Sequence, residues 1–118
     1  MSGKKTSDSP CFEVITLNEK VDKQIEDLPT TIRVKMLQNM ELLSEFGNEL
    51  REPFSKSFGD GLFELRAKGK EGIARAFYTF KQDKIIVIFS VFIKKSQKTP
   101  KGEIDKARKI LKSIKGEL

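Results

Sequence analysis

Residues 61–100 read GLFELRAKGKEGIARAFYTFKQDKIIVIFSVFIKKSQKTP, and this stretch decides the fold. Apolar and polar side chains alternate over residues 63–68, which is the period of a half-buried strand. Residues 72–80 and 85–93 are rich in the β-branched and aromatic side chains that favour strands. Short turns separate the three segments, so the sequence predicts three consecutive antiparallel strands.

The turns set the register. A hairpin loop over Lys68–Gly72 is expected to bring Arg66 opposite Arg75, and a turn over Lys81–Lys84 then pairs Arg75 with Ser90. One sheet face then carries Glu64, Arg66, Arg75, Phe77, Ser90, Phe92 and Lys94. The other face carries Leu65, Ala74, Ala76, Tyr78, Val87, Phe89 and Val91. We predict that the first face holds a site with its arginines toward solvent and that the second is core; a one-residue slip would exchange the faces of a strand.

Helices and one more strand are predicted before this stretch. Phe12–Leu17 has the composition of a strand, and Asn18 is expected to cap a helix that Pro29 ends. Its apolar stripe is Val21, Ile25 and Leu28. Thr30 or Thr31 is expected to cap a second helix. The side chains of that helix predicted to face the core are Ile32, Met36, Leu37, Met40, Leu43 and Phe46.

Glycine, proline and threonine residues predict where the remaining helices begin and end. Gly47 is placed to end the second helix, and Asn48–Asp60 is predicted to be a loop because it lacks periodicity. Thr99 as N-cap and Pro100 in the first turn begin a final helix. Its apolar stripe is Ile104, Ala107, Leu111 and Ile114. The predicted fold is α+β, in the order strand-helix-helix-strand-strand-strand-helix, with a mainly antiparallel sheet covered by helices.

Length and composition indicate one domain. The chain has 118 residues, of which we expect 1–11 to form a flexible N-terminal arm and 12–118 a single domain. The arm has no apolar segment typical of a signal peptide, and Cys11 has no second cysteine with which to form an intrachain disulfide. The longest apolar run is far shorter than the roughly 20 residues that cross a bilayer. These features predict a cytoplasmic protein without a membrane partner.

Positively and negatively charged residues are distributed unevenly along the chain. Residues 1–61 hold 8 lysines and arginines against 11 acidic residues, whereas residues 62–118 hold 15 against 6, so the net charges are −3 and +9. Clustered positive charge on a small domain favours an anionic partner such as nucleic acid. Scattered lysines such as Lys106, Lys112 and Lys115 are interpreted as a solvated surface.

The order of elements and three motifs resemble a known family. GLFELR at Gly61–Arg66, GIARAFY at Gly72–Tyr78 and FIKKSQKTP at Phe92–Pro100 are similar to the RelE/HigB-type toxins of bacterial and phage toxin–antitoxin modules, in particular the phage-derived HigB-like branch. The resemblance implies a RelE-like fold and a type II toxin that acts as a ribosome-dependent endoribonuclease on messenger RNA, inhibiting translation. It also implies a cognate antitoxin with a helix-turn-helix domain, through which alone the toxin meets operator DNA.

The resemblance also points to site residues. The implied catalytic residues are Arg75, Arg66, Lys94 and Lys95. Possible RNA contacts are Lys68, Lys70, Phe77, Phe92, Gln97 and Lys98. For the two phenylalanines core packing is the preferred interpretation, and for the others simple solvation is the alternative. The sequence departs from the family in lacking histidine, and its single tyrosine, Tyr78, lies within a strand and is interpreted as core.

The chemistry needs neither metal nor cofactor, because RNA carries its own nucleophile in the 2′-OH. Guanidinium groups match phosphate oxygens and stabilise the dianionic phosphorane. Lys94, Lys95 or Glu64 is a candidate for proton transfer, with a salt bridge that orients Arg66 as the alternative for Glu64. Two other functions stay open: a non-catalytic RNA- or DNA-binding module, and a degenerate toxin that acts through its antitoxin.

Overall fold

The computed structural model describes residues 11–82 and 84–116. The predicted arm lies outside the described residues except for Cys11, which is exposed. The elements are β1 (Glu13–Thr16), α1 (Glu19–Glu26), α2 (Thr30–Phe46), a 3-10 turn (Gly47–Glu49), β2 (Ser55–Gly59), β3 (Leu62–Gly69), β4 (Gly72–Gln82), β5 (Ile85–Lys94) and α3 (Lys101–Gly116). The predicted α+β order is confirmed, with one strand more than expected. No helix among these residues is long and apolar enough to cross a membrane.

The five strands form one sheet in the order β1-β5-β4-β3-β2. The β1–β5 pair is parallel, and the other pairs are antiparallel. The additional strand is β2, so the prediction of a loop over the whole of Asn48–Asp60 is wrong. The strand is a short, largely polar edge strand, and its pairing with β3 supplies the order that its own sequence pattern does not indicate.

The register of the long hairpin is confirmed in part. Arg66 lies opposite Arg75, as predicted, but the predicted loop over Lys68–Gly72 is wrong: Gly69 already pairs with Gly72, which leaves Lys70 and Glu71 as the turn. The partner of Arg75 on β5 is Phe92 and not Ser90, because β4 and β5 contain two irregularities and close on the Gln82–Ile85 pair. A shift of two residues preserves the face on which a side chain lies, so Phe92 still shares a face with the two arginines.

At the other end of β5, a bulge places side chains on the opposite face of the sheet from the one predicted. Phe77 pairs with Ser90 while Tyr78 pairs with Ile88, which leaves Phe89 as the additional residue. Phe89 consequently packs with Phe77 in the cluster beneath α3, and Val87 lies opposite Thr79. The prediction that Val87 and Phe89 share a face with Leu65 is therefore wrong.

Helices cover both faces of the sheet. On one face α1 and α2 bury Val21, Ile25, Leu28, Ile32, Met36 and Leu43 against the strands. On the other face the stripe of α3 packs against Leu62, Phe77 and Phe89. The face predicted to be a solvent-facing site is thus largely enclosed by α3. Leu37 and Phe46 were predicted to face the core but are each 45% exposed, because they lie off the stripe through Ile32, Met36 and Leu43.

The observed helix boundaries and caps agree with the sequence-based predictions at two positions and differ from them at two. The Asn18 side chain accepts a hydrogen bond from the Val21 N–H at 3.1 Å, and Gly47, at φ +51°, ends α2. A side chain at Gly47 would meet the ring of Phe12. Pro29 and not Thr30 or Thr31 is the N-cap of α2. Thr99 directs its hydroxyl to a strand residue instead of capping α3.

Candidate functional site

Four side chains from three parts of the chain meet on the α3 face of the sheet. Glu64 and Arg66 come from β3, and Arg75 comes from the opposing position on β4. Thr99 comes from the segment between β5 and α3. We call these four residues the arginine cluster. The strand register brings the first three together, and the path of the chain into α3 adds the fourth.

Glu64 is the centre of the arginine cluster. Its side chain is 0% exposed, its Oε1 accepts from Arg66 Nε at 2.6 Å and its Oε2 accepts from Thr99 Oγ1 at 2.6 Å. Both carboxylate oxygens are therefore engaged within the protein. A general base must reach the proton that it removes, which this enclosed carboxylate does not. The geometry favours the alternative prediction, in which Glu64 orients Arg66 through a salt bridge.

Arg75 is wholly buried, which contradicts the prediction that it faces solvent. Its side chain is 0% exposed, and its Nη2 donates to the carbonyls of Ser96 at 2.6 Å and Gln97 at 2.9 Å. The reason is that the segment before α3 folds across the guanidinium, a feature that strand alternation does not reveal. In this arrangement Arg75 holds the backbone of that segment, and it does not face an external phosphate.

The electrostatic position of Arg75 is unusual. Its Nε lies 3.6 Å from Glu64 Oε2, and within the described part of the chain neither Nε nor Nη1 has a hydrogen-bond partner. Burial lowers the pKa of Arg75 from its ordinary value; attraction to Glu64 opposes this shift, and repulsion from Arg66 adds to it. Unpaired buried donors are costly, so the neighbouring Glu64 charge is important for keeping this cation in the interior.

Arg66 is the arginine of the cluster that reaches the surface. Its side chain is 24% exposed, whereas its Nε is fixed by Glu64. Its Nη2 makes longer contacts with Thr99 Oγ1 at 3.3 Å and the Gln97 carbonyl at 3.4 Å. One edge of this guanidinium is therefore anchored while the group remains partly accessible, which suits a phosphate ligand.

Exposed lysines lie on the same face of the sheet as Arg66. Lys68, Ile73 and Lys94 form one row across β3, β4 and β5, on the same face as the row that contains Arg66 and Arg75. Lys94 is 49% exposed and lies 3.9 Å from Glu103 Oε2. The other predicted polar contacts, all exposed, are Lys68, Lys70, Lys95, Gln97 and Lys98. The structure thus brings most of the predicted basic residues to one end of the sheet.

The predictions for the aromatic residues have different outcomes. Phe77 is 0% exposed and packs against the rings of Phe58, Phe89 and Phe92, so the prediction that it stacks on bases is wrong, and it belongs to the core. Phe92 is half-buried at the margin of the same cluster. Tyr78 is core, as interpreted from the sequence, and its hydroxyl shares a 2.6 Å hydrogen bond with Ser55.

Tyr78 is not placed for proton transfer. Burial raises the pKa of Tyr78, and the hydrogen bond shared with Ser55 opposes that shift. Thr99, by contrast, is a site residue that the sequence analysis missed. It was interpreted only as a helix cap, although it stands within the FIKKSQKTP motif that pointed to the site.

Comparison with known proteins identifies the family. Residues 23–112 match the model of the family described as phage-derived Gp49-like protein (DUF891). The chain belongs to this family. The fold of this Gp49-like protein is similar to a chain of the archaeal RelE–RelB complex from Pyrococcus horikoshii OT3, with a TM-score of 0.51 and 22% sequence identity. The alignment covers 70% of this chain and 94% of that chain.

No curated protein matches the Gp49-like chain. Family and fold together confirm the resemblance to RelE-type toxins that was drawn from the sequence. The matched residues 23–112 include the whole arginine cluster and the row of exposed lysines beside it. The site therefore lies inside the part of the chain that defines the family.

Proposed function

We propose that this protein is the toxin of a type II toxin–antitoxin module and a ribosome-dependent endoribonuclease that cuts messenger RNA. One observation carries the proposal: Arg66 is anchored by the buried Glu64 yet partly exposed, and exposed lysines such as Lys68 and Lys98 lie at the same end of the sheet. An oriented guanidinium stabilises charge that develops on a phosphate more effectively than a flexible one.

The reaction is an attack of the RNA 2′-OH on the adjacent phosphorus. The new bond joins O2′ to phosphorus, the bond from phosphorus to O5′ breaks, the 2′ proton is removed and the leaving 5′ oxygen is protonated. Arg66 binds the non-bridging oxygens as their negative charge increases. Arg75 acts from the interior by holding the carbonyls of Ser96 and Gln97, which fixes the segment that presents the neighbouring cations.

We assign proton transfer to the exposed lysines or to the ribosome. Lys94, Lys95 and Lys98 are the exposed cations closest in sequence to this segment, and each ammonium is a potential acid for the leaving oxygen. The enclosed positions of Glu64 and Tyr78 argue against either as the base. We infer that ribosomal RNA aligns the 2′-OH and supplies part of what this site lacks, which is why the activity depends on the ribosome.

We expect cleavage only of translated RNA. In a reconstituted translation system, new 5′ ends on a messenger RNA should appear in register with the codons, and free single-stranded RNA should be cut at least on the order of 10²-fold more slowly, because alignment is missing. An Arg66→Ala sample is the control for contaminating nucleases. Equally fast cleavage without ribosomes would exclude ribosome dependence, and no cleavage in either sample would exclude the nuclease.

We also propose a cognate antitoxin with a helix-turn-helix domain, through which the toxin meets operator DNA. The similar archaeal structure is itself a RelE–RelB complex. If the antitoxin covers the site, changing Lys94 and Lys95 to glutamate should weaken its binding by more than about tenfold, because acidic side chains would lose their partners. The same changes at Lys109 and Lys112 on α3 are the control. Unchanged affinity in titration calorimetry would show that neutralisation does not use the site.

A non-catalytic RNA-binding module is the second candidate. It is favoured by the enclosed positions of Arg75 and Glu64, which leave lysines as the main exposed groups at the site. Such a module would bind ribosomes or RNA with a strong salt dependence and leave messenger RNA intact. The same 5′-end mapping separates the two functions.

A further inference from the structure

The buried carboxylate of Glu64 is unusual at its position in the sheet. Glu64 lies between Phe63 and Leu65 on β3, and its cross-strand partners are Phe77 on β4 and Lys56 on β2. An apolar side chain there would leave the buried Arg75 without a counter-charge, so Glu64 compensates Arg75 in addition to its contacts with Arg66 and Thr99. Its two oxygens hold one donor each, from Arg66 and Thr99.

Thr99 closes a ring of three side chains. A carboxylate only accepts and a guanidinium only donates, so the directions are fixed: the Thr99 hydroxyl donates to Glu64 at 2.6 Å and accepts from Arg66 Nη2 at 3.3 Å. Arg66 is thereby held at two nitrogens, Nε by Glu64 and Nη2 by Thr99 at 3.3 Å, with a longer contact from Nη2 to the Gln97 carbonyl at 3.4 Å. Together with the covalently attached Cδ, these two nitrogens define the plane of the guanidinium, whereas the Nε contact alone leaves it free to rotate about the Cδ–Nε bond.

We propose that Thr99 and Glu64 are positioning residues that set the plane of the Arg66 guanidinium for phosphate binding. The inference rests on the proposed function for its catalytic consequence. Neither residue faces solvent, since Glu64 is 0% and Thr99 5% exposed, so both act through Arg66 and not on the RNA.

The same ring fixes residues 96–99, the segment that presents the neighbouring cations, to the sheet. The Gln97 carbonyl accepts from Nη2 of Arg75 at 2.9 Å and lies 3.4 Å from Nη2 of Arg66. Thr99 is two residues further along and is bonded to Glu64. Residues 96–99 are therefore fixed to both arginines and to the carboxylate, which sets the distance between Arg66 and the flanking Lys98.

Substitution of Thr99 tests the proposal with little change of shape. Thr99→Val removes the hydroxyl, and Thr99→Ser keeps it. We expect Thr99→Val to lower the single-turnover rate of messenger RNA cleavage on ribosomes by about 10²-fold, since small misplacements of a catalytic group have effects of that order, with ribosome affinity unchanged. Thr99→Ser should restore most of the rate.

Thr79→Val is the matched control, because Thr79 is a second buried threonine, 2% exposed, on β4. All variants are assayed at a temperature at which circular dichroism shows them fully folded. A wild-type rate for Thr99→Val would overturn the proposal. So would an equal loss in Thr79→Val, or a loss in Thr99→Val that serine does not restore.

A second measurement does not depend on catalysis. In NMR spectra of ¹⁵N-arginine-labelled protein, the Nη2 protons of Arg66, which face the Thr99 hydroxyl, should exchange slowly with water in the wild type and in Thr99→Ser, and much faster in Thr99→Val. Unchanged exchange in Thr99→Val would overturn the positioning role. If the wild type does not cut RNA on ribosomes but the exchange changes as expected, the proposed function fails while the positioning of Arg66 stands.

Discussion

Arg75→Ala is expected to destabilise the protein by about 3–5 kcal/mol, because removing one partner of a buried ion pair leaves the other charge uncompensated. The substitution also removes the donor to the carbonyls of Ser96 and Gln97 and leaves space beneath the segment before α3. Small domains are stable by only about 5–15 kcal/mol, so much of the folding free energy would be lost. The urea midpoint of unfolding should fall accordingly.

Arg51→Ala is the control for this experiment, since Arg51 is exposed and its hydrogen bond is to the local Asn48 carbonyl. It should change the midpoint little. An Arg75→Ala midpoint equal to that of the wild type would show that the buried pair is not important for stability. Loss of toxicity in Arg75→Ala is by itself no sign of catalysis, because an unfolded toxin is also inactive.

Arg66→Ala is expected to abolish most activity and to retain the fold. Loss of one donor to a developing oxyanion lowers rates by about 10²–10³-fold, and Arg66 is the partly exposed arginine of the cluster. The loss of stability should be smaller than for Arg75→Ala, since Glu64 keeps its bond from Thr99 and its contact with Arg75. The measurements are growth arrest on induction and the cleavage rate on ribosomes.

Arg33→Ala on α2 provides the comparison, because its guanidinium donates to the Glu26 carbonyl away from the arginine cluster. It should remain toxic. Full toxicity of Arg66→Ala at matched expression would remove Arg66 from the site. Arg66→Lys is informative as well, since an ammonium keeps the charge but lacks the paired donors of the guanidinium, so a partial rate is expected.

Local pattern predicted much of the fold. Helix α1 with its Asn18 cap, the end of α2 at Gly47 and the apolar stripe of α3 are local features, and each is found. The opposition of Arg66 and Arg75 was predicted, although the turn of this hairpin, Lys70 and Glu71, is shorter than the predicted loop. Strand β2 was missed because an edge strand with one buried residue, Ser55, has no apolar alternation to detect.

The sequence predicted which residues belong to the site better than it predicted how they are arranged. Charge and alternation placed Glu64, Arg66 and Arg75 on one face, which is correct. Their burial depends on where α3 and residues 96–99 lie, and an apolar stripe does not say which face of a sheet it covers. A charged side chain is usually expected at the surface, and Arg75 departs from this because a carboxylate and two backbone carbonyls surround it.

The order in which the chain is synthesised limits when this site exists. Thr99 follows Glu64 by 35 residues, and the Arg75 contacts reach 21 and 22 residues forward to Ser96 and Gln97. The pairing of β3 with β4 is local in sequence, so it is able to form before residues 96–99 have been synthesised. Arg66, however, has no fixed plane until residue 99 has emerged and docked. A nascent chain that stops short of this point carries both arginines without a completed arginine cluster.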